Sequence, residues 1–194
     1  MNIRRNLIVA VLITIVTTVL LGLVYPLVVT AFAQVLFPDK ANGQLREHNG
    51  RAIGSDIIGQ GFSRPGYFHS RASAAGQGYD ATSSGGTNLG PTNKKLIDAV
   101  TAAIAAAQKE NPTAPVPIDM VTTSASGIDP HVSPENALFQ VPRVAKARGL
   151  READVRALVE RRVEGRQLGF LGEPRVNVLL LNLALDDGYS SAKR

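Results

Sequence analysis

Between Asn6 and Pro38 the chain carries no Asp, Glu, Lys, Arg or His. The densest part, Leu7 to Val24, is nearly unbroken Leu, Ile and Val, interrupted only by Thr14, Thr17, Thr18, Gly22 and one alanine, Ala10. At about 1.5 Å per helical residue this part alone nearly crosses a bilayer core of roughly 30 Å. Such a stretch is either an anchor or a secretory signal, and the choice decides where the rest of the chain works. Arg4 and Arg5 stand just before it, so the positive-inside tendency keeps residues 1–6 in the cytoplasm and exports the remainder of the chain. Ala31-Phe32-Ala33 offers a small-x-small cleavage signature, but a secretory apolar core is only about 7–15 residues long. Apolar character here persists to Phe37, which favours a retained transmembrane helix over residues 7–37. Pro26 lacks the N–H that a helix interior needs and predicts a kink. Two readings stay open: the helix continues through Pro26 to Phe37, or it ends at Val24 and an interfacial segment succeeds it.

Residues 38–194 have the length of one domain with its own core. All 16 acidic and 19 of the 21 basic residues fall here. The small excess of positive charge is spread along the chain, whereas a nucleic-acid surface needs a clustered basic face. The densest basic run, Arg143 to Arg151, reads as a solvated helix face. With no cysteine in the chain, disulfides, thiol catalysis and thiolate metal sites are excluded together.

Asn42-Gly43 and Asn49-Gly50 are turn signals in a polar connector with room for a hairpin at most. Ile57-Ile58, between glycines, suits a brief strand. Phe62 to Asn93 is rich in Gly, Ser, Ala, Thr and Asn without any period, and a loop that long inside a domain is functional or disordered. Phe62, Tyr67 and Phe68 are able to pin it to a core. Thr92 or Asn93 caps a helix whose apolar face recurs at Leu96, Ile97, Val100, Ala103, Ile104 and Ala107, ending before Asn111-Pro112. Val116 to Thr122 alternates weakly, as a strand does, and feeds a Ser/Gly/Asp loop up to His131. Ser133 and Pro134 open a second helix, bent at Pro142 and closed by Gly149. A third helix with Val155, Leu158, Val159 and Val163 on one face runs to Gly165. Arg175 to Leu185, almost continuous Val and Leu, has the pattern of a strand buried on both faces. The expected class is a single extracytoplasmic α/β or α+β domain on one N-terminal transmembrane helix.

The most suggestive loop is Ser83 to Thr92, glycine-rich and opening onto a helix N-terminus, where backbone N–H groups are able to gather round an anion. Gly85 and Gly90 keep part of the spacing of a phosphate loop, but Pro91 stands where that motif needs Lys, which excludes a nucleotide-binding P-loop. Gly76-Gln77-Gly78-Tyr79-Asp80-Ala81 matches a dinucleotide fingerprint in letters only. His48, His69 and His131 lack metal-site spacing; His131, after Asp129-Pro130, has the most suggestive setting. Candidate binding residues are therefore Ser84, Gly85, Gly86, Thr87, Asn88, Gly90, Ser126, Asp129 and His131, with no catalytic constellation and no metal set. No ionisable group lies in the apolar stretch, so this chain alone makes no ion path.

The order and spacing of several segments resemble a known family. They are Tyr25-Pro26-Leu27, Ala41-Asn42-Gly43, Gly54-Ser55 through Ile58-Gly59-Gln60, Tyr67-Phe68-His69 with Arg71-Ala72-Ser73-Ala74, and Ser84-Gly85-Gly86-Thr87-Asn88-Leu89. Ser126-Gly127-Ile128-Asp129, Ser133-Pro134, Gln140 through Arg148, Val176-Asn177 and Leu181 through Asp186 extend the match over nearly the whole chain. Together they are similar to the C subunit of the Kdp-type potassium-transporting P-type ATPase of bacteria; Ala72 departs from the pattern, which has proline there. The resemblance implies a single-pass subunit of the bacterial cytoplasmic membrane. Its partners would be a channel-like potassium-binding subunit, an ATP-hydrolysing subunit and a small hydrophobic subunit, with ATP and potassium belonging to the complex. It also implies a role in assembly and as a catalytic chaperone that raises the ATP affinity of the ATPase subunit, with Tyr25 and Pro26 on the helix surface that meets its partners. Because the charge asymmetry places the glycine-rich loop outside and ATP is cytoplasmic, coupling through the helix is expected rather than direct ATP contact. The domain would then cap the external mouth of the potassium path. The alternative from another class is a membrane-tethered binding protein or enzyme that uses the loop at residues 83–92.

Overall fold

A computed structural model describes residues 2–48 and 50–189. The chain divides into two units, one up to Leu45 and one from Arg46 onward.

The first unit is the apolar stretch, helical from Ile3 to Leu36. It comprises α1 (Ile3–Val19), a π-helical turn (Leu20–Val24) and α2 (Tyr25–Leu36). The Asn2 side chain caps it by accepting the Arg5 N–H. Threonines are tolerated because Thr14 and Thr17 donate their hydroxyls to the carbonyls of Ala10 and Ile13 at 2.8 and 2.7 Å. Helix continuity through Pro26 has a local cause. The missing N–H would have bonded one turn back, and the backbone instead widens just before it, with the Tyr25 N–H bonding the Leu20 carbonyl five residues away. Of the two readings left open, the helix that continues is the one observed. Phe37, outside the helical region at φ −141° and ψ 56°, ends it ahead of α3 (Pro38–Ala41). None of its residues is buried, and by length and composition it is able to cross a membrane.

The second unit mixes helices with two small sheets. Strands β1 (Leu45–His48) and β2 (Arg51–Ser55) pair, and an Arg46–Asp56 ion pair of 2.6 Å lies beside them. Strands β3 (His131–Val132), β5 (Arg175–Asn177) and β4 (Val163–Glu164) form an antiparallel sheet in the order β3-β5-β4. Val176 faces both Val132 and Val163 in register. Helices α4 (Lys94–Glu110), α5 (Ile118–Val121), α6 (Pro134–Arg148), α7 (Glu152–Arg161) and α8 (Val178–Tyr189) complete it. The core is where α6, α7 and α8 meet that sheet: Val141, Val144, Val155, Val159, Val176, Leu181 and Leu185 are fully buried there, together with Phe68 from the long loop.

Four sequence expectations change. The run from Arg175 to Leu185 is a strand only as far as Asn177. There the Asn177 side chain accepts the Leu180 N–H at 3.1 Å and caps α8, and Val178, Leu181, Asn182 and Leu185 then recur at helical spacing. A helix apolar nearly all round conceals its period. Residues 118–121, expected in a strand, form the short α5, which brings Asp119 to the start of α6. Its carboxylate accepts from the Ser133 N–H, the Ser133 hydroxyl and the Asn136 amide at 2.8–3.0 Å. The third helix stops at Arg161, because Val163 and Glu164 pair with β5. Ile57 and Ile58 lie beyond β2 and are exposed. As expected, Ser133 and the left-handed Gly149 (φ 67°) bound α6, which runs unbroken through Pro142.

The basic run is solvated only in part: Lys146 and Arg151 are exposed, whereas Arg143 and Arg148 turn inward. The Arg143 guanidinium donates to the carbonyls of Pro65 and Tyr67 at 2.6 and 2.9 Å and pairs with Glu110. Arg148 donates to the Gly66 carbonyl, pairs with Asp186 and lies 4.6 Å over the Tyr67 ring. Beneath these cations, two side-chain amides hold the loop as a neighbouring strand would. Asn182 accepts the Phe68 N–H and donates to the Phe68 carbonyl at 2.8 and 3.0 Å, and Gln140 does the same for His69 at 2.7 and 3.0 Å. Both are buried. Replacing either amide with an apolar side chain of similar size strands two backbone groups, buried at Phe68 and part-buried at His69, so Asn182→Leu should cost about 2–4 kcal/mol and Gln140→Leu about 1–3 kcal/mol. Urea titration is expected to show a lower midpoint with an unchanged slope.

Candidate functional site

The loop expected to carry function, residues 62–93, lies against a second loop, residues 122–130, and the contact is mostly backbone. Ser73 and Ser124 form a parallel bridge, with the Ala74 N–H on the Ser124 carbonyl and the Ser124 N–H on the Ala72 carbonyl. Farther along, Ser84 and Gly85 meet Ala125: the Gly85 N–H and the Ser84 hydroxyl both donate to its carbonyl, at 2.9 and 3.2 Å. Two glycines permit this approach. A Cβ on Gly127, whose φ is +74°, would sit 2.5 Å from the Asp80 carbonyl oxygen, and one on the buried Gly59 would collide with the Asp129 carbonyl. The Gly59 N–H donates instead to the Ile128 carbonyl at 2.8 Å.

Side chains complete the joint. Arg71 lies 3.3 Å from Asp129 and 3.4 Å from the Thr122 hydroxyl, and Tyr79, held at φ +48°, donates its hydroxyl to the Arg71 carbonyl at 2.7 Å. Burial raises the pKa of the Tyr79 phenol, so it stays a neutral donor. Asp129 also accepts the His131 N–H at 3.1 Å, in an Asx turn that leads into β3. Ser126 accepts the Ile128 N–H and contacts the Ser124 hydroxyl.

The structure therefore brings Ser84, Gly85, Gly86 and Ser126 together around Ala125 and sets Asp129 and His131 at the end of the same loop. Thr87, Asn88 and Gly90 lie farther along on the exposed surface. Asn88 is left-handed at φ +54°, and the Gly90 carbonyl accepts the Asn93 N–H. At the start of α4 the Asn93 side chain takes the Lys95 N–H at 2.9 Å. The N–H of Gly85, one of those a bound anion would need, already has an internal acceptor. Tyr25 and Pro26 are on the exposed surface of the first unit, at the π turn. The residues that sequence reasoning missed are Arg71, Tyr79, Gln140, Arg143, Arg148 and Asn182. All of these but Tyr79 lie in the segments that carry the resemblance, but nothing local to them marks which buried groups they meet.

Two half-buried histidines flank this region. His69 donates Nε2–H to the Arg64 carbonyl at 3.1 Å, and burial, with the nearby Arg143 charge, lowers its pKa below the ordinary 6.5. Burial and Arg175 do the same for His131. A histidine whose folded-state pKa is depressed adds stability that is complete above about 6.5 and is lost as pH falls through the folded value. Thermal unfolding temperature should therefore decline as pH drops from about 7.5 towards 5, and the double change His69→Asn with His131→Asn should flatten that segment of the profile.

A family model described as KdpC, the c chain of the K+-transporting ATPase, matches residues 7–187. Three similar proteins are each named potassium-transporting ATPase KdpC subunit. The one from Koribacter versatilis is 66% identical over 183 residues, covering 94% of this chain and 95% of the relative. That from Myxococcus xanthus is 59% identical over 175 residues (89% and 83%), and that from Caulobacter vibrioides 57% over 173 (89% and 88%). A match that runs from the apolar helix through both long loops into α8 at these identities shows the family over residues 7–187, and the chain belongs to the KdpC family of K+-transporting ATPase subunits.

Proposed function

We propose that this chain is the accessory subunit that assembles and tunes a high-affinity, ATP-driven potassium uptake complex, and that its helix is the coupling element. The carrying observation is the division of polarity between its parts. The helix from Ile3 to Leu36 exposes apolar side chains throughout, whereas the loops at residues 62–93 and 122–130 satisfy much of their hydrogen bonding on each other. In a bilayer such a helix spans and offers its surface to neighbouring helices, where packing rather than the hydrophobic effect drives association. The π turn beside Tyr25 and Pro26 makes a local irregularity suited to a specific partner helix. Arg4 and Arg5 orient the N-terminus to the cytoplasm, which puts the domain on the outer side of the bacterial cytoplasmic membrane. There it caps the mouth of the potassium path on the channel-like subunit. The helix also meets the small hydrophobic subunit and the ATP-hydrolysing subunit.

On this reading the chain raises the ATP affinity of the hydrolysing subunit by favouring one arrangement of membrane helices, a coupling free energy between distant sites and not a nucleotide contact. The loop residues Ser84, Gly85, Gly86, Thr87, Asn88, Gly90, Ser126, Asp129 and His131 then form a surface for a partner. Exchanging Leu7 to Leu36 for a generic poly-leucine helix should abolish co-purification with the other subunits, and in any complex that forms it should raise the KM for ATP by about fivefold or more. Altering Ser84, Gly85 and Gly86 together in the intact complex should leave that KM unchanged. A selective loss of nucleotide affinity there would overturn helix coupling.

A further inference from the structure

We propose that the hairpin at residues 166–172 is a rigid apolar anchor that seats in a preformed socket on another subunit of the ATPase assembly, an inference that rests on the accessory-subunit reading above. Gln167 and Leu171 form an antiparallel bridge, each donating its N–H to the other's carbonyl at 2.9 Å, and the Phe170 N–H closes the turn on the Gln167 carbonyl at 3.2 Å. An Arg166–Glu173 ion pair of 2.6 Å clasps the base. The Gln167–Leu171 bridge encloses a three-residue loop, Leu168 to Phe170, and its first two residues, Leu168 and Gly169, both have positive φ, 53° and 82°, a backbone that normally takes Asn or Gly. A leucine in the left-handed region is strained, and here it is also 83% exposed, beside Phe170 at 69% and Leu171 at 48%. Among the described residues nothing rewards that choice. An asparagine would hold the same turn with less strain and better hydration.

The occupant is set by size, stiffness and charge. Three side chains of this exposure present on the order of 350 Å², far below the roughly 800 Å² per partner that holds a stable dimer. A second copy of the chain would therefore not be retained by this contact alone. A subunit already held nearby needs no more than such an anchor, since a few buried side chains dominate an interface. The helix that ends at Leu36 is separated from Arg46 by only nine residues, so any subunit gathered by the helix is kept within reach of the domain. A bilayer surface fits less well. Fluid lipid accepts apolar side chains in any conformation and gives no return on a strained, fixed turn, and the paired Arg166 and Glu173 leave the hairpin base without the net positive charge that anionic headgroups attract. A rigid protein socket rewards both features, and its mouth should be apolar with little net charge.

The test places a photoreactive benzophenone side chain in place of Phe170 in the full chain, co-expressed with the other ATPase subunits in native membranes. Irradiation should yield an adduct between this chain and one subunit of the assembly. An adduct with lipid alone, an adduct with a second copy, or no adduct would each overturn the proposal. In parallel, Leu168→Asn should leave unchanged or raise the thermal unfolding temperature of the detergent-solubilised chain, because it relieves the turn. Leu168→Asn and Phe170→Ser should each lower the retention of the chain in the purified complex by about tenfold. Retention equal to that of the unaltered chain would sink the anchor while leaving the helix-based accessory reading intact. Failure of the unaltered chain to co-purify at all would overturn both.

Discussion

Two side-chain amides, Asn182 and Gln140, are the interaction on which the second unit depends. A loop of more than thirty residues without a period has no ladder of its own to satisfy its backbone, and a buried N–H or C=O without a partner is costly. Asn182 from α8 and Gln140 from α6 each present one acceptor and one donor in the spacing of a β-strand edge, and Phe68 and His69 dock onto them. This allows the Phe68 ring to enter the core between the two helices. Arg143 and Arg148 then fasten the carbonyls just upstream. The amide of Gln140 is itself oriented, by Asn136 on one side and Arg143 on the other, so the clamp is a network and not an isolated pair.

Once Phe68 is held, the rest of the loop has a fixed origin from which to meet residues 122–130. That contact relies on close backbone approach, which is why Gly59 and Gly127 have no room for a side chain. Its outcome is a joint in which several backbone polar groups of the two loops are paired with each other. A domain built so is better suited to present shape to a partner than to gather a small ligand, in keeping with a subunit of a K+-transporting ATPase.

The apolar groups the chain leaves exposed point the same way. On the helix of the first unit, exposure from Ile3 to Leu36 is expected of a segment solvated by lipid and by other helices. On the second unit, Leu168 and Phe170 are held out on a turn that a solvent-facing loop would build from other residues. In both places the side chains are more apolar than the element's own geometry demands, which is what supports the associations proposed for them.

The sequence by itself determined the apolar helix, the caps at Asn93, Ser133 and Gly149, and the face of α7 that carries Val155, Leu158 and Val159, because these signals lie within a few residues of the structure they specify. Family kinship was legible too, through the order and spacing of motifs that are individually weak. Tertiary structure alone decided the rest. Whether Val178 to Leu185 would extend as strand or coil as helix turned on the cap at Asn177, which is also tied to the Asp56 carbonyl. Residues 118–121 became helical where Asp119 could meet Ser133, and Arg143 was drawn from solvent by carbonyls more than seventy residues away. Local pattern reports which side chains avoid water, but the partner of a buried polar group lies far along the chain, and only folding brings the two together.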